Sequence, residues 1–509
     1  MSASPAPQSL RTASEPAPGA PRVGLVTLGC DKNTVDTERL LARLAHAGAH
    51  IVQGADDADV LIINTCGFID VAKEESVDAI LDAVRLKQGG SVRAVVAMGC
   101  LVQRYKADLE QELPEVDFFL SLTEAERLVP ELRSRGLLPE TAQVSTMERP
   151  LRLLSTSTRH TSYLKISEGC DHTCAFCAIP LMRGKHRSTP LDVLVREAQQ
   201  LEAAGVVELN LISQDTTWYG RDILRGASAG GTDWFVGRTF DGMAGAGGTG
   251  PATVAQPGTR ATGKRSDARH GLLPELLCSL LEGTTIPWLR MFYMYPSGIY
   301  PGLVDLMARE PRLLPYVDMP IQHGSDAVLK RMRRPERQAT IRERVAWLRE
   351  SIPDVALRTT VIVGFPGETE DEFDEMLGLL EEIRFDHLGA FSYSVEEDTH
   401  AATMPGQVSE TAKRERLERL LDVQRAISQE RNEAWLGREV TVLIDSLTGR
   451  DMDGDEREVV RGAVARTARQ ALEIDGVVHL DDACGAQPGD FVSVVVTGVV
   501  ENDLKAEMR

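Results

Sequence analysis

Two sets of three cysteines are the residues of this 509-residue chain whose type and spacing could do chemistry. The first is Cys170-Asp-His-Thr-Cys174-Ala-Phe-Cys177, a C-x3-C-x2-C run whose thiols stand too close together in sequence for separate structural duties. Closed zinc sites use four ligands, usually in two separated pairs, and no second C-x2-C or H-x3-H follows this run. Three soft thiolates suit an iron-sulfur cluster better, because three cysteines on four irons leave one iron open to a substrate or cofactor. The rival is a zinc knuckle. Lys165-Ile-Ser-Glu-Gly169 is strand-like and feeds the first cysteine from a glycine turn, and Ile179-Pro180 closes the loop.

The second set is Cys30, Cys66 and Cys100, more than thirty residues apart yet equivalently placed, in Leu28-Gly-Cys30, Asn64-Thr-Cys66-Gly and Met98-Gly-Cys100. Each follows a β-rich run by one or two residues. In a parallel α/β sheet such positions share the carboxyl edge, where ligands bind. Gly29, Gly67 and Gly99 beside them let backbone come close to whatever sits there. These thiols read as a second three-cysteine cluster site with an open iron; the rival is three unrelated buried cysteines.

The elements that must position these thiols follow from hydrophobic periodicity. Residues 1–21, rich in Pro, Ala and Ser, read as a floppy tail with no clear signal or transit peptide. Over 22–136 short β-rich runs alternate with amphipathic helices, which predicts an N-terminal parallel α/β domain. A linker over 137–160 leads to a central domain, 161–408, in which six strand-like runs separated by helices describe a partial (βα)6 barrel. The cysteine loop follows the first of those strands and so lies at the barrel's C-terminal mouth. Residues 225–270, Gly-, Ala- and Thr-rich and aperiodic, read as a disordered insertion. A linker helix over 409–436 precedes four short strands within 437–504, a small antiparallel β-barrel of the OB-like kind.

The C-x3-C-x2-C spacing resembles the radical S-adenosylmethionine (SAM) superfamily, and the three-domain order resembles the methylthiotransferase family over nearly the whole chain. Within that family Leu28-Gly-Cys-Asp-Lys-Asn-Thr-Val-Asp-Thr-Glu38, Asn64-Thr-Cys-Gly-Phe-Ile-Asp70 and the run from Gly169 to Ser188 resemble the ribosomal-protein branch. The resemblance implies two 4Fe-4S clusters, held by Cys30, Cys66 and Cys100 and by Cys170, Cys174 and Cys177, with SAM chelated by the open iron of the second. It implies a TRAM domain at the C-terminus. Phe176 resembles the position that meets adenine, Gly364-Phe-Pro366-Gly-Glu368 the segment lining the SAM pocket, and Gln214-Asp215 occupies an equivalent mouth position. The implied reaction adds a methylthio group to the β-carbon of an aspartate in small-subunit ribosomal protein twelve, free or in the ribosome. One SAM would methylate a sulfur delivered by a sulfur donor. A second, cleaved with an electron from a reductant such as flavodoxin or ferredoxin, would supply a radical. The alternative substrate is isopentenyl-adenosine in tRNA.

Composition bears on that choice. The net charge of −20 repels phosphate backbones unless a local basic patch overcomes it. The terminal domain carries Asp451, Asp453, Asp455, Glu456, Glu458, Asp481 and Asp482, which suits a basic protein partner better than RNA. Arg183, Lys185, Arg187 and the run from Lys330 to Arg334 stand against this, as groups for a SAM carboxylate, tRNA or water. A two-cluster electron carrier would want four cysteines at each site, and a cluster-stabilised RNA-binding module would explain neither open irons nor acidity. No residue triad for acid-base catalysis stands out, and His172, His186 and His323 are candidates for hydrogen bonding only. Eight cysteines, with Cys278 and Cys484 as buried small hydrophobes, and no apolar run of membrane-spanning length predict a cytoplasmic protein without membrane contact.

Overall fold

The computed structural model describes residues 20–52, 54–55, 57–140, 151–154, 158–224, 271–448 and 462–509. The expected insertion, the tail apart from its last two residues, and the acidic run from Asp451 to Glu458 lie outside the described residues.

Strands β1 (Arg22–Thr27), β2 (His50–Ile51), β3 (Val60–Thr65), β4 (Ala94–Gly99) and β5 (Phe118–Ser121) form one sheet in the order β2-β1-β3-β4-β5, parallel throughout. β3 and β4 are buried along their whole length, as strands covered on both faces must be. Their alternate residues divide between two cores. Val60 and Ile62 meet Leu40 and Leu44 of helix α1 (Asp31–His46), whereas Leu61 and Ile63 meet Ile80 and Val84 of α2 (Asp70–Gln88) and Leu101 of α3 (Cys100–Glu112).

The central domain follows as β6 (Thr161–Lys165), β7 (Ser167–Glu168), β8 (Arg187–Ser188), β9 (Glu208–Ile212), β10 (Trp288–Met291), β11 (Tyr316–Asp318), β12 (Ala356–Val363) and β13 (His387–Ser392). β6-β9-β10 and β11-β12-β13 are parallel sheets joined where Leu289 bridges Leu313 and Leu314 N donates to Leu289 O at 2.9 Å. Six neighbours in sequence order, open between β6 and β13, make the partial barrel. β7 and β8 pair antiparallel outside it and close the neck of the cysteine loop.

The terminal domain is a closed barrel of β14 (Glu439–Thr448), β15 (Gly462–Thr467), β16 (Val478–Leu480), β17 (Phe491–Val500) and β18 (Asp503–Met508), in the order β14-β15-β16-β18-β17. The sequence reading missed β18, whose Leu, Lys, Ala, Glu and Met are helix formers by propensity, and among the described residues of this barrel β18 contributes the one parallel pairing, with β16. Cys278 and Cys484 are exposed, not buried. Leu273, Leu276, Leu277 and Leu280 take the buried face of the helix carrying Cys278, and Cys484 sits in a turn at φ +47°.

A buried ionic group docks this barrel on the central domain. Arg466 Nη2 donates to Glu208 Oε2 at 2.6 Å and its Nε to Asp445 Oδ2 at 2.6 Å, while Arg290 Nε donates to Glu208 Oε1 at 3.0 Å. Burial alone would raise the Glu208 carboxyl, but Arg466 and Arg290 overcome it and hold it down at about 2. A group so depressed adds stability that is present above the ordinary glutamate value and is lost as pH falls toward 2. Arg466→Met takes one cationic partner from each of two buried carboxylates, leaving Glu208 to Arg290 and Asp445 to His160, and is expected to cost about 3 kcal/mol, read as a lowered melting temperature at neutral pH. Glu208→Gln is expected to flatten the fall in melting temperature between about pH 4.5 and 2; an unchanged slope would count against the assignment.

Candidate active site

The three N-terminal cysteines come together at the carboxyl edge of the first sheet. Cys30 is the N-cap of α1, Cys100 the first residue of α3, and Cys66 follows β3 directly. Two helix N-termini therefore direct partial positive charge at the thiols, which favours bound anionic sulfur. Close approach requires the glycines. A Cβ on Gly29, at φ +94°, would stand 2.8 Å from Cys66 Sγ, and one on Gly99, at φ +109°, would stand 2.5 Å from Thr65 O.

Asn33 fixes the loop from beneath. Its Nδ2 donates to Leu28 O at 2.7 Å and Thr65 O at 3.2 Å, and its Oδ1 faces Cys100 Sγ at 3.8 Å. Burial pushes the Cys100 thiol up to about 12 against the nearby Arg183 guanidinium.

The other three cysteines lie in a loop pinned at its neck. Cys170 N donates to Gly184 O at 3.0 Å, and Gly169, at φ +72°, leaves no room for a side chain. Further along, Ala175 N donates to Met332 O at 2.9 Å. Burial and then the Cys174 sulfur push Cys177 up to about 12, and burial pushes Cys170 to about 12. Over Cys174 stands a stack. His172 lies parallel to Tyr295 at 3.9 Å between ring centroids, Arg334 covers the same ring at 3.9 Å, and the Tyr295 hydroxyl is 3.4 Å from Cys174 Sγ.

Arg183 joins the two sites. Its Nη2 donates to Asn33 Oδ1 at 2.6 Å, and its Nη1 to Asp36 Oδ2 at 3.1 Å and Glu168 Oε1 at 2.9 Å. Lys165 pairs with the same carboxylates, Asp36 and Glu168. On the other side Arg104 Nη1 donates to Gly67 O at 3.2 Å and Glu396 Oε2 at 2.9 Å, and Lys73 reaches Glu396 at 3.0 Å. The sheet edge and the barrel mouth thus face one another, clasped at two points.

The expected SAM residues fall into two groups. Phe176 packs on the apolar cluster holding Phe365, Tyr393, Val328 and Met332, which brings it to the Gly364–Glu368 loop. There Glu368 Oε2 accepts from Gly364 N and Phe365 N at 2.9 and 3.1 Å, Gly364 abuts Lys413, and Pro366 is buried. Gln214 Oε1 is buried without a hydrogen-bond partner among the described residues. Asp215 is engaged by the protein: Oδ2 binds His172 Nε2 at 2.7 Å and Oδ1 accepts from the Thr217 amide and hydroxyl.

Arg183 and Arg334, which the sequence offers as groups for a SAM carboxylate, tRNA or water, are both buried, Arg183 between the two cysteine sites and Arg334 against Cys174. Tyr295 and Asn33 were missed. The signals available were Tyr295's place just beyond the third barrel strand and Asn33's place three residues past Cys30.

No three His, Cys, Asp or Glu side chains among the described residues are arranged around a single metal ion. Thiolates on different irons of a cubane stand further apart than ligands of one ion, so all-thiol triads against helix N-termini and buried amides fit the larger group.

The family comparisons agree with this geometry. Residues 22–121 match Uncharacterized protein family UPF0004, 262–380 the Radical SAM superfamily and 436–508 the TRAM domain. The second match spans β10 to β12 and leaves the cysteine loop outside it. Relatives named ribosomal protein uS12 methylthiotransferase RimO align over nearly the whole chain. The one from Anaeromyxobacter sp. strain K is 42% identical over 491 residues, 95% of this chain and 92% of that protein. The one from Geobacter sulfurreducens is 40% identical over 492 residues, 96% and 98% of the two chains. The chain belongs to the RimO family.

Within a RimO-family chain, a side chain at Gly169 is expected to break one site only. Gly169→Ala drives a methyl into Lys185 O and Gly184 O, so the reconstituted protein should hold about half the wild-type iron and sulfide while Gly99→Ala spares the barrel site. Full loading of Gly169→Ala would refute the neck's role.

Proposed function

We propose that this chain is a radical SAM methylthiotransferase that modifies an aspartate β-carbon of ribosomal protein uS12, with two 4Fe-4S clusters held by its two cysteine triads. The observation that carries the reading is the pair of triads, each of three thiols, on loops that the Arg183 network links across the two domains. The uS12 name of relatives aligned over 95% of the chain supports the ribosomal protein over the tRNA alternative.

Bound clusters and SAM would supply a carbon-centred radical at the barrel site and a methylated sulfur at the sheet edge. The chain's own groups bind and orient. Cys170, Cys174 and Cys177 hold the first cluster, Cys30, Cys66 and Cys100 the second. Gln214, with its orphaned oxygen, the Phe176 ring and the Gly364–Pro366 segment offer SAM a polar partner and an apolar wall. Asp215 positions His172, and through it the Tyr295 ring beside Cys174. Arg334 donates from Nη1 toward Cys174 Sγ at 3.9 Å, which would place positive charge beside a cluster held there. A sulfur donor and a one-electron reductant complete the reaction.

Under anaerobic conditions with SAM and reductant, the reconstituted protein is expected to add a methylthio mass to an aspartate of uS12 and not to isopentenylated tRNA, read by mass spectrometry. Replacing Cys30, Cys66 and Cys100 by alanine should abolish that gain while 5'-deoxyadenosine still forms; replacing Cys170, Cys174 and Cys177 should abolish both. A gain on tRNA alone would overturn the substrate assignment.

A further inference from the structure

A second cavity lies far from the cysteines, where the linker helix (Glu410–Glu433) ends between the two barrels. It encloses about 370 Å³ and is lined by Arg349, Arg384, Arg431, Arg438, Arg469 and Trp435 among others. Asp354 and Val355, also in its wall, immediately precede β12, and Arg384 lies shortly before β13. The cavity therefore opens at the amino-terminal end of the barrel strands, opposite the mouth that holds the cysteines.

Five arginines at one cavity demand an explanation in a chain of net charge −20. Part of the explanation is structural. Arg431 and Arg469 share Asp386 at 2.7 and 2.6 Å, Arg384 pairs with Glu430 at 2.5 Å, and Arg438 reaches Asp354 at 3.5 Å. Arg349 caps a helix end, donating to Ile383 O and Arg384 O at 2.6 and 2.7 Å, and its Nε is buried without a partner. Five guanidiniums thus meet three carboxylates, and two positive charges are left uncompensated among the described residues. Burial, then the charge of Arg431, lowers Arg349; burial lowers Arg469 despite Asp386, with Arg431 adding to the effect. The cluster repels itself and would be relieved by an anion.

Arg438 and Arg469 lie over the Trp435 ring at 4.7 and 4.6 Å, which holds their planes in place beside the cavity. Planar guanidiniums fixed in this way match the paired oxygens of a phosphodiester. A basic ribosomal protein would be repelled here, so what accompanies that protein is the better occupant. We propose that this arginine cavity binds backbone phosphates of ribosomal RNA, so that the chain engages its substrate within the small subunit. The choice of RNA rests on the ribosomal-protein reading; the anion site itself does not. An assembled particle is large enough to touch the mouth and the far end of the barrel together, which explains a site so distant from the chemistry.

The test is RNA binding by the full chain, followed by fluorescence anisotropy with a labelled small-subunit rRNA fragment over a range of salt. Arg384→Glu and Arg438→Glu remove solvent-facing cations, and each is expected to weaken binding about tenfold and reduce the slope of log affinity against log salt by ~1. Glu430→Gln removes a competing carboxylate and should tighten binding, an outcome that misfolding cannot imitate. Inorganic phosphate at matched phosphate concentration should compete poorly. Wild-type affinity in all three variants would overturn the proposal, as would competition by phosphate as effective as by RNA, which would mark a small-anion site. Because binding is read without turnover, loss of methylthio transfer would leave this result standing, and the reverse holds too.

Discussion

Four charges between the two cysteine sites, three of them buried and Glu168 half-buried, determine how the domains meet. Asp36 comes from α1, Lys165 from β6, Glu168 from β7 and Arg183 from the short helix beyond Cys177. None of the four could be buried alone, since an isolated ion in a protein interior costs several kcal/mol. Two carboxylates and two cations in mutual contact remove that cost only in one relative placement of sheet and barrel. Burial works against the Arg183 charge, yet the Cys100 sulfur, Glu168, Asp36 and Cys30 raise its affinity for the proton well above the ordinary value. The same network that docks the domains therefore places a fixed positive charge between the two sets of sulfurs. Anionic sulfur chemistry on either side feels it.

A clasp of this kind works only if the loops it joins are rigid. The β7 and β8 hairpin and the Cys170–Gly184 hydrogen bond make the cysteine loop a closed ring with a short neck. Tyr293 does the corresponding work from the barrel side. It adopts φ +58°, its hydroxyl donates to Asp31 Oδ2 at 3.3 Å, and Lys32 Nζ sits 3.3 Å from its ring centroid. A left-handed tyrosine is strained, and the hydrogen bond and cation-π contact with the first turn of α1, next to Cys30, hold it there. Phe68 and Leu181, two and four residues beyond Cys66 and Cys177, stay exposed.

Strand periodicity and cysteine placement made most of this architecture legible in the sequence. A parallel sheet puts every strand-following residue on one edge, so Cys30, Cys66 and Cys100 could be grouped without knowing a distance. The six βα units announced themselves for the same reason. Side-chain partners across domains were not legible. Arg183 beside Lys185 and Arg187 looks like part of a surface basic run, and only the fold turns it inward to Asp36, which is 147 positions away. Arg152 sits in a stretch that reads as linker, yet it is buried against Glu38 and Glu197. Long-range charge pairing has no periodic signature. β18 was invisible for a different reason: closing a barrel recruits a strand whose residues prefer helix.

The histidines at the barrel mouth serve its loops. His172 is bound to Asp215, His186 to Ser188 at 3.2 Å, and His323 accepts from Ser325 N at 2.9 Å while standing 3.3 Å from Glu368. Each ring spends at least one nitrogen on shaping a loop, and burial lowers His186. Glu368 likewise spends its oxygens on the Gly364–Phe365 amides and Arg416. An enzyme that removed an acidic proton would keep one such group free, facing its cavity and tuned near neutrality. Hydrogen removal from an unactivated carbon makes no use of such a base. Among the described residues, the partnered groups at this mouth shape the loops that carry the cysteines and set the charge around them.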